Sequence, residues 1–280
     1  MKTVLLTGAT GFLGRNILKV LNQKKMNIIL VIRSGSEKKI NLKNYNHVKK
    51  IVISKDIFKE NVSWWQKNCT GVDVIIHAAW YTKPGEYLNS YKNKDCLKGS
   101  INLAKGAVKA KVKKLIGIGT CLEYDLTYNL LSIDTPLKPI TLYAKTKTSL
   151  FKKLLKILGK NLIKFSWCRV FYLYGQGEHK DRLVPYINRK LRYKKKVQLK
   201  NYNSIRDYLN VSKAAMMIVK VINNDNVKVI NICSGRPITI KKLAEQIANK
   251  YNRRHLLHYK KKSDNFSKID CIVGVPNCNL

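Results

Sequence analysis

The chain has 280 residues, 45% of them hydrophobic and 9% aromatic, enough for one large or two small domains with a real core and too apolar for a disordered chain. Its 55 lysines and arginines against 16 acidic residues give a formal charge of +39, which taken alone suggests nucleic acid or an anionic surface. The lysines are spread along the whole chain beside abundant asparagine and isoleucine, the pattern of AT-rich coding drift, so a nucleic-acid partner is not expected.

No apolar run approaches the roughly 20 residues that span a bilayer, and no membrane partner is expected. The start, Met1-Lys2-Thr3-Val4-Leu5-Leu6-Thr7-Gly8, runs into a strand and a glycine turn rather than a secretory leader. Cysteines 69, 96, 121, 168, 233, 271 and 278 contain no Cys-x-x-Cys pair. Neither a metal site nor a disulfide framework is expected, and a reduced cytoplasm fits.

Val4-Leu5-Leu6 reads as a short strand, followed by Gly8-Ala9-Thr10-Gly11-Phe12-Leu13-Gly14 and a helix with apolar residues at 17, 18, 20 and 21. Gly-x-x-Gly-x-x-Gly between a strand and a helix is a dinucleotide-binding turn. The glycines let the backbone approach a pyrophosphate that the helix N-terminus faces. The second strand, from Asn27, ends at Arg33-Ser34. An acidic residue there would take a ribose 2′-hydroxyl, whereas arginine accommodates a 2′-phosphate, which favours NADP over NAD. The competing reading of Arg33 is a solvated strand end.

Ile51-Val52-Ile53 with Asp56-Ile57, and Val74-Ile75-Ile76-His77-Ala78-Ala79, read as two further strands ending near the cofactor. His77 reads as structural, with Ala78 and Ala79 allowing close backbone approach. A helix over residues 97–110 leads to the strand Leu115-Ile116-Gly117-Ile118. The alternation predicts an α/β fold, a Rossmann-like doubly wound parallel sheet, with a smaller C-terminal lobe. Thr141-Leu142-Tyr143-Ala144-Lys145-Thr146-Lys147 opens the next helical run. Residues at i and i+4 share a helix face, so Tyr143 and Lys147 are expected to face one site, the lysine cation lowering the tyrosine pKa.

The glycine turn, Gly119-Thr120-Cys121-Leu122-Glu123-Tyr124, Tyr143 with Lys147, Arg169-Val170-Phe171-Tyr172-Leu173-Tyr174-Gly175, Arg206-Asp207-Tyr208-Leu209-Asn210-Val211 and Asn231-Ile232-Cys233-Ser234-Gly235 follow one another in an order and spacing that resembles the extended short-chain dehydrogenase/reductases, the NAD-dependent epimerase/dehydratase family that works on nucleotide sugars. The resemblance runs from residue 2 to about residue 240 and implies roles. Thr120, Tyr143 and Lys147 match the catalytic set, with Thr120 on the reacting sugar oxygen. Gly8, Gly11, Phe12, Leu13 and Gly14 match the pyrophosphate turn, Asp56 and Ile57 the adenine contact, and Lys147 and Phe171 the nicotinamide end, with Ala78 and Ala79 among the cofactor contacts. Tyr172, Arg182 and Arg206 fall at substrate positions, Arg206 where the family grips a diphosphate with a bidentate fork.

Departures from the family pattern narrow the reaction. Cys121 and Leu122 replace the Asp-Glu pair of the 4,6-dehydratases, which argues against dehydration. Leu122 and Arg182 replace the cysteine and histidine of the 3,5-epimerase/4-reductases. What remains is reduction of a C4 keto group with NADPH, the resemblance being to ketoreductases of the CDP-abequose synthase type, with a 4-epimerase on retained NAD as the alternative. A non-catalytic NAD(P)- or RNA-binding role is the remote one, suggested by the charge alone. The stripe Leu150, Leu154, Leu158 with its neighbours is wider than one sheet face needs, and the resemblance implies a homodimer through this helix and that over 97–110. Residues 1–174 are expected to form the cofactor domain and 175–280 mainly the substrate lobe, with segments such as 205–222 returning to the first. Family members usually close with a further helix and a Gly-Trp-Lys-Pro-like segment, where this sequence reads Val275-Pro276-Asn277-Cys278-Asn279-Leu280.

Overall fold

The computed structural model describes residues 1–226, 228–260 and 270–277; Cys278, Asn279 and Leu280 lie outside the described residues. Thr3–Thr7 (β1) passes through the glycine turn into Phe12–Gln23 (α1). Asn27–Arg33 (β2), Val48–Ser54 (β3), Val62–Cys69 (α2), Val74–His77 (β4), Lys92–Lys109 (α3) and Lys114–Thr120 (β5) follow, then Leu130–Leu131 (β6), Leu142–Lys160 (α4), Lys164–Val170 (β7) and Tyr172–Tyr174 (β8). The remainder is Leu183–Arg192 (α5), Val197–Leu199 (β9), Ile205–Asn210 (β10), Val211–Lys220 (α6), Val229–Ile232 (β11), Pro237–Thr239 (β12), Ile240–Asn249 (α7), Leu257–Tyr259 (β13) and Cys271–Gly274 (β14).

The main sheet has seven strands in the order β3-β2-β1-β4-β5-β7-β11, every pairing parallel. This is the doubly wound sheet expected from the sequence. Its central strands are continuous apolar runs because helices cover both faces. On one face α1 and α6 bury Ile17, Leu21 and Ile218 against Val4, Leu6 and Ile76. On the other, α2, α3 and α4 bury Trp65, Leu103 and Leu154 against Leu5, Ile75, Leu115 and Trp167. Full burial of one such leucine contributes about 2 kcal/mol.

Two differences from the sequence reading have local causes. Helix α3 starts at Lys92 rather than at residue 97, because the buried amide of Asn93 donates to Tyr87 O at 2.6 Å and Ser90 O at 2.8 Å and ties the first turn to the preceding loop. Helix α2 was not anticipated; Asn61 caps it by accepting from Trp64 N–H at 2.8 Å, and Trp65 anchors it in the core.

A smaller sheet, β12-β10-β14-β6 with β8 on β10, stands beyond the C-terminal ends of the main strands. The fully buried carboxylate of Asp207 knits it to the segment after β11, accepting from Ser234 N–H (2.8 Å), Ser234 Oγ–H (2.7 Å) and Gly235 N–H (2.9 Å). A third cluster joins α5 and α7 through Ile187, Leu191, Ala244 and Ile247. No helix among the described residues is long and apolar enough to cross a membrane.

Candidate active site

The strand order reverses at β1, between β2 and β4, which opens a crevice at the C-terminal ends of the strands. The glycine turn lies there. Gly8 has a φ of +76°, and a Cβ on it would stand 2.7 Å from Ala78 C and Ala79 N. A Cβ on Gly14 would stand 2.0 Å from Gly8 O. Gly11 caps α1 without a side-chain bond, and no acidic residue occupies the first turn, so the N–H groups of Phe12, Leu13 and Gly14 remain available to an anion. This bare backbone cradle fits a dinucleotide pyrophosphate. Gly14→Ala is expected to abolish NAD(P)H binding in a fluorescence titration, because its methyl group meets backbone that cannot give way.

Behind the cradle, Thr7 Oγ1 stands 2.8 Å from His77 Nδ1, and His77 Nε2 stands 2.7 Å from Ser100 Oγ. Ser100 Oγ–H donates to Cys96 O and Ala79 N–H donates to Thr7 Oγ1. These bonds require a neutral imidazole protonated on Nε2. Burial, with Lys147 nearby, pushes its pKa down to about 3. His77 is therefore a structural bridge between β1, β4 and α3.

Arg33 is exposed at the end of β2. Asp56 accepts from Phe58 N–H at 3.0 Å in the loop after β3, and Ile57 is packed into the core beside Leu5 and Val31. The side chain of Phe171 is also internal, clustered with Cys121, Tyr124, Leu131 and Cys233, so its ring belongs to the core rather than to a free surface.

The catalytic candidates converge at the ends of β5 and α4. Thr120 N–H donates to Glu123 Oε1 at 2.8 Å, and Leu122 N–H donates to Thr120 Oγ1 at 3.3 Å, a capping box that sets the Thr120 hydroxyl. Tyr143 follows the Thr141 N-cap of α4, and its N–H donates to Leu88 O at 2.9 Å. Thr120 acts on the Tyr143 phenol, pulling its pKa down against the larger effect of burial. Lys147 Nζ–H donates to Ile118 O at 2.7 Å, and Nζ stands 6.0 Å from the centre of the Tyr143 ring. The expectation that Lys147 lowers the Tyr143 pKa is corrected here. Burial, followed by Tyr87, Glu123 and Cys121, pushes the phenol above its ordinary value, while Lys147 is itself pushed down to about 7 by burial. In a dry site with the ammonium turned to Ile118 O, Tyr143 is held as the protonated acid.

The substrate candidates line the facing wall. Tyr172 packs on Tyr208 with ring centres 5.7 Å apart. The Arg206 guanidinium lies 5.8 Å from the Tyr172 ring and donates to Ile205 O at 2.8 Å. Arg182 lies 5.2 Å from the Tyr87 ring, and Tyr87 meets Tyr143 edge-on at 5.0 Å. Sequence reasoning missed Trp80, Tyr87, Asn93, Glu123 and Glu178. Trp80 and Tyr87 fall in the loop before α3 and Asn93 in its first turn; the loop is placed by the Tyr143 N–H bond to Leu88 O and by the Asn93 side chain, and no sequence period marks it. Glu123 was legible only as part of a motif.

Glu178 carries a buried Oε2 with no hydrogen-bond partner. Burial pushes its carboxyl up to about 7, against opposing pulls from Gly175 N–H and Arg182. A carboxyl raised in the fold contributes stability below about pH 4.5, and that stability is lost as pH rises through about 7. Glu178→Gln is therefore expected to leave the Tm unchanged near pH 4.5 and to raise it at pH 8 by about 2–4 °C, the response to roughly 1 kcal/mol once solvent screening is allowed for. Thermal melts at the two pH values check it.

The profile of the NAD dependent epimerase/dehydratase family matches residues 4–233. The chain belongs to this family. Among curated relatives, it is 25% identical over 244 residues to a GDP-6-deoxy-D-talose 4-dehydrogenase of Aggregatibacter actinomycetemcomitans, covering 83% of this chain and 74% of that protein. It is 20% identical over 259 residues to a dTDP-6-deoxy-L-talose 4-dehydrogenase (NAD(+)) of the same organism, covering 89% and 90%. Among solved structures, a UDP-glucose 4-epimerase of Thermotoga maritima with UDP-glucose superposes at a TM-score of 0.82 over 98% of this chain and 90% of that one, at 18% identity. That likeness shows the shared fold.

Proposed function

We propose that this member of the family is an NADP-dependent oxidoreductase that reduces the C4 keto group of a nucleotide-linked deoxysugar, for surface polysaccharide synthesis in the cytoplasm. The observation that carries the reading is the joining of Thr120, Tyr143 and Lys147 at one end of the crevice with the bare glycine cradle at the other. The two curated relatives are both named as 4-dehydrogenases of nucleotide-linked 6-deoxysugars, which supports C4 as the reacting carbon, and a dehydrogenase and a ketoreductase run one equilibrium in opposite directions.

A bound nicotinamide dinucleotide supplies hydride chemistry to this site. The protein does the rest. The cradle and the first turn of α1 hold the pyrophosphate. Arg33 would take a 2′-phosphate, and Lys147, its ammonium bonded to Ile118 O, would stand beside the nicotinamide ribose. Thr120 Oγ–H polarises the C4 carbonyl oxygen, and protonated Tyr143 gives that oxygen its proton as the carbon is reduced. Arg182 and Arg206 meet the diphosphate. Burial keeps the Tyr143 phenol protonated, so the proton is in place for the reductive direction. The chain is proposed to work as a homodimer through α3 and α4; a monomer in sedimentation would remove that part.

Arg33→Ala is expected to weaken NADPH binding about tenfold, the loss of one charge-assisted phosphate contact of about 1.4 kcal/mol, while NADH binding is unchanged. Equal effects on both would return NAD as the cofactor. Deuterated NADPH tests the reaction: deuterium at C4 of a nucleotide deoxysugar is the expected result. Interconversion of C4 epimers with no deuterium incorporated would support the 4-epimerase instead.

A further inference from the structure

Lys147 is buried, with 3% of its surface exposed, and no ion pair among the described residues includes it. Its ammonium sits instead on an aromatic face. Nζ is 3.7 Å from the centre of the Trp80 indole, compared with 6.0 Å from the Tyr143 ring. The other fixed contact is the 2.7 Å bond to Ile118 O. An ammonium over indole is the strongest of the aromatic cation contacts, and it gains when water is excluded.

Trp80 is held rigidly. Its Nε1–H donates to Asn93 Oδ1 at 2.8 Å. Asn93 is fully buried, and its amide nitrogen is committed to Tyr87 O and Ser90 O, so its oxygen is the atom left to face the indole. The ring stands edge-on to Phe58 at 6.3 Å and to Tyr143 at 6.4 Å. The same Asn93 thus orders the Tyr87 loop, the start of α3 and the plane of the indole.

We propose that Trp80 is a positioning residue: clamped by Asn93, its indole face holds the Lys147 ammonium in its charged form, in place of a carboxylate partner. The proposal rests on the role given to Lys147 in the proposed reaction. The groups that act on this ammonium are Glu123 beyond β5 and Cys96 on α3, both favouring its charge, neutral His77 on β4 and the phenol of Tyr143 on its own helix. The Tyr143 ring centre is 6.0 Å from Nζ, against 3.7 Å for Trp80. Burial pushes the lysine down to about 7, and the indole opposes that trend.

Trace acetylation with acetic anhydride, read peptide by peptide by mass spectrometry across pH, reports the Lys147 midpoint with no substrate or cofactor present. Trp80→Leu is expected to lower that midpoint by about one pH unit, and Trp80→Phe, which keeps an aromatic face but loses the Asn93 bond, by less. In active protein the alkaline limb of kcat is expected to move the same way, with KM nearly unchanged. If folded Trp80→Phe and Trp80→Leu both keep the wild-type midpoint, Trp80 is packing only and the proposal fails. A shifted midpoint in a protein that reduces no 4-keto sugar would uphold it and overturn the proposed reaction instead.

Discussion

Tyr143→Phe is expected to lower kcat about 10²–10⁴-fold, the range for removal of a positioned general acid, while NADPH still binds. The phenol adds one oxygen to a ring whose packing Phe preserves: Tyr87 meets it at 5.0 Å and Trp80 at 6.4 Å, both edge-on. Folding and the glycine cradle should therefore be untouched. What is lost is the only atom of that ring that can hand a proton to a carbonyl oxygen. NADPH fluorescence and steady-state kinetics on one preparation check both halves. A variant that kept near-normal kcat would remove Tyr143 from the mechanism.

Arg169→Met is expected to cost about 3–5 kcal/mol, seen as a fall in Tm of roughly 10 °C. Arg169 Nε pairs with Glu123 Oε2 at 3.0 Å, and their side chains are 3% and 0% exposed. Glu123 also accepts from Thr120 N–H at 2.8 Å and from Trp167 Nε1–H at 3.0 and 3.1 Å, and the guanidinium lies 4.5 Å from the Tyr124 ring. Burial pushes the Glu123 carboxyl up, and Arg169 pulls it back. Removing the arginine leaves a buried carboxylate with no cation, the costly way to break such a pair. Because the same carboxylate holds Thr120 N–H, kcat should fall as well. The double variant Arg169→Met with Glu123→Gln should recover much of the stability and little of the activity. Equal losses in the single and double variants would mean that the arginine acts through packing alone. Close approach of this network to β5 depends on Gly119, where a Cβ would stand 2.3 Å from Trp167 Nε1 and 2.6 Å from Glu123 Oε1.

Five of the seven strands of the main sheet were legible because each is local: a run such as Val4-Leu5-Leu6 or Val74-Ile75-Ile76, buried on both faces, needs no knowledge of its neighbours, whereas Lys164–Val170 and Val229–Ile232 entered only as parts of motifs. The glycine turn was legible for the same reason, since Gly8 and Gly14 act on backbone a few residues away as well as on Ala78. The second sheet was not. Leu130–Leu131, Ile205–Asn210, Pro237–Thr239 and Cys271–Gly274 are short pieces from distant parts of the chain, and the buried carboxylate of Asp207 that ties them together looks in sequence like any surface aspartate. The Tyr143/Lys147 pair was placed correctly on one helix face, but its electrostatics were not readable. The direction of the Tyr143 shift depends on burial and on Tyr87, and the fate of the Lys147 charge depends on Trp80, which sequence alone does not bring near.

The measurement that tests the central claim most directly is absorbance at 340 nm of NADPH mixed with the purified protein and a panel of nucleotide-linked 4-keto-6-deoxysugars. The account predicts decay with one sugar class, one NADPH consumed per C4 alcohol formed, and none with the Tyr143→Phe protein. No decay with any of them, together with equilibration of a nucleotide hexose and its C4 epimer on bound NAD, would contradict it.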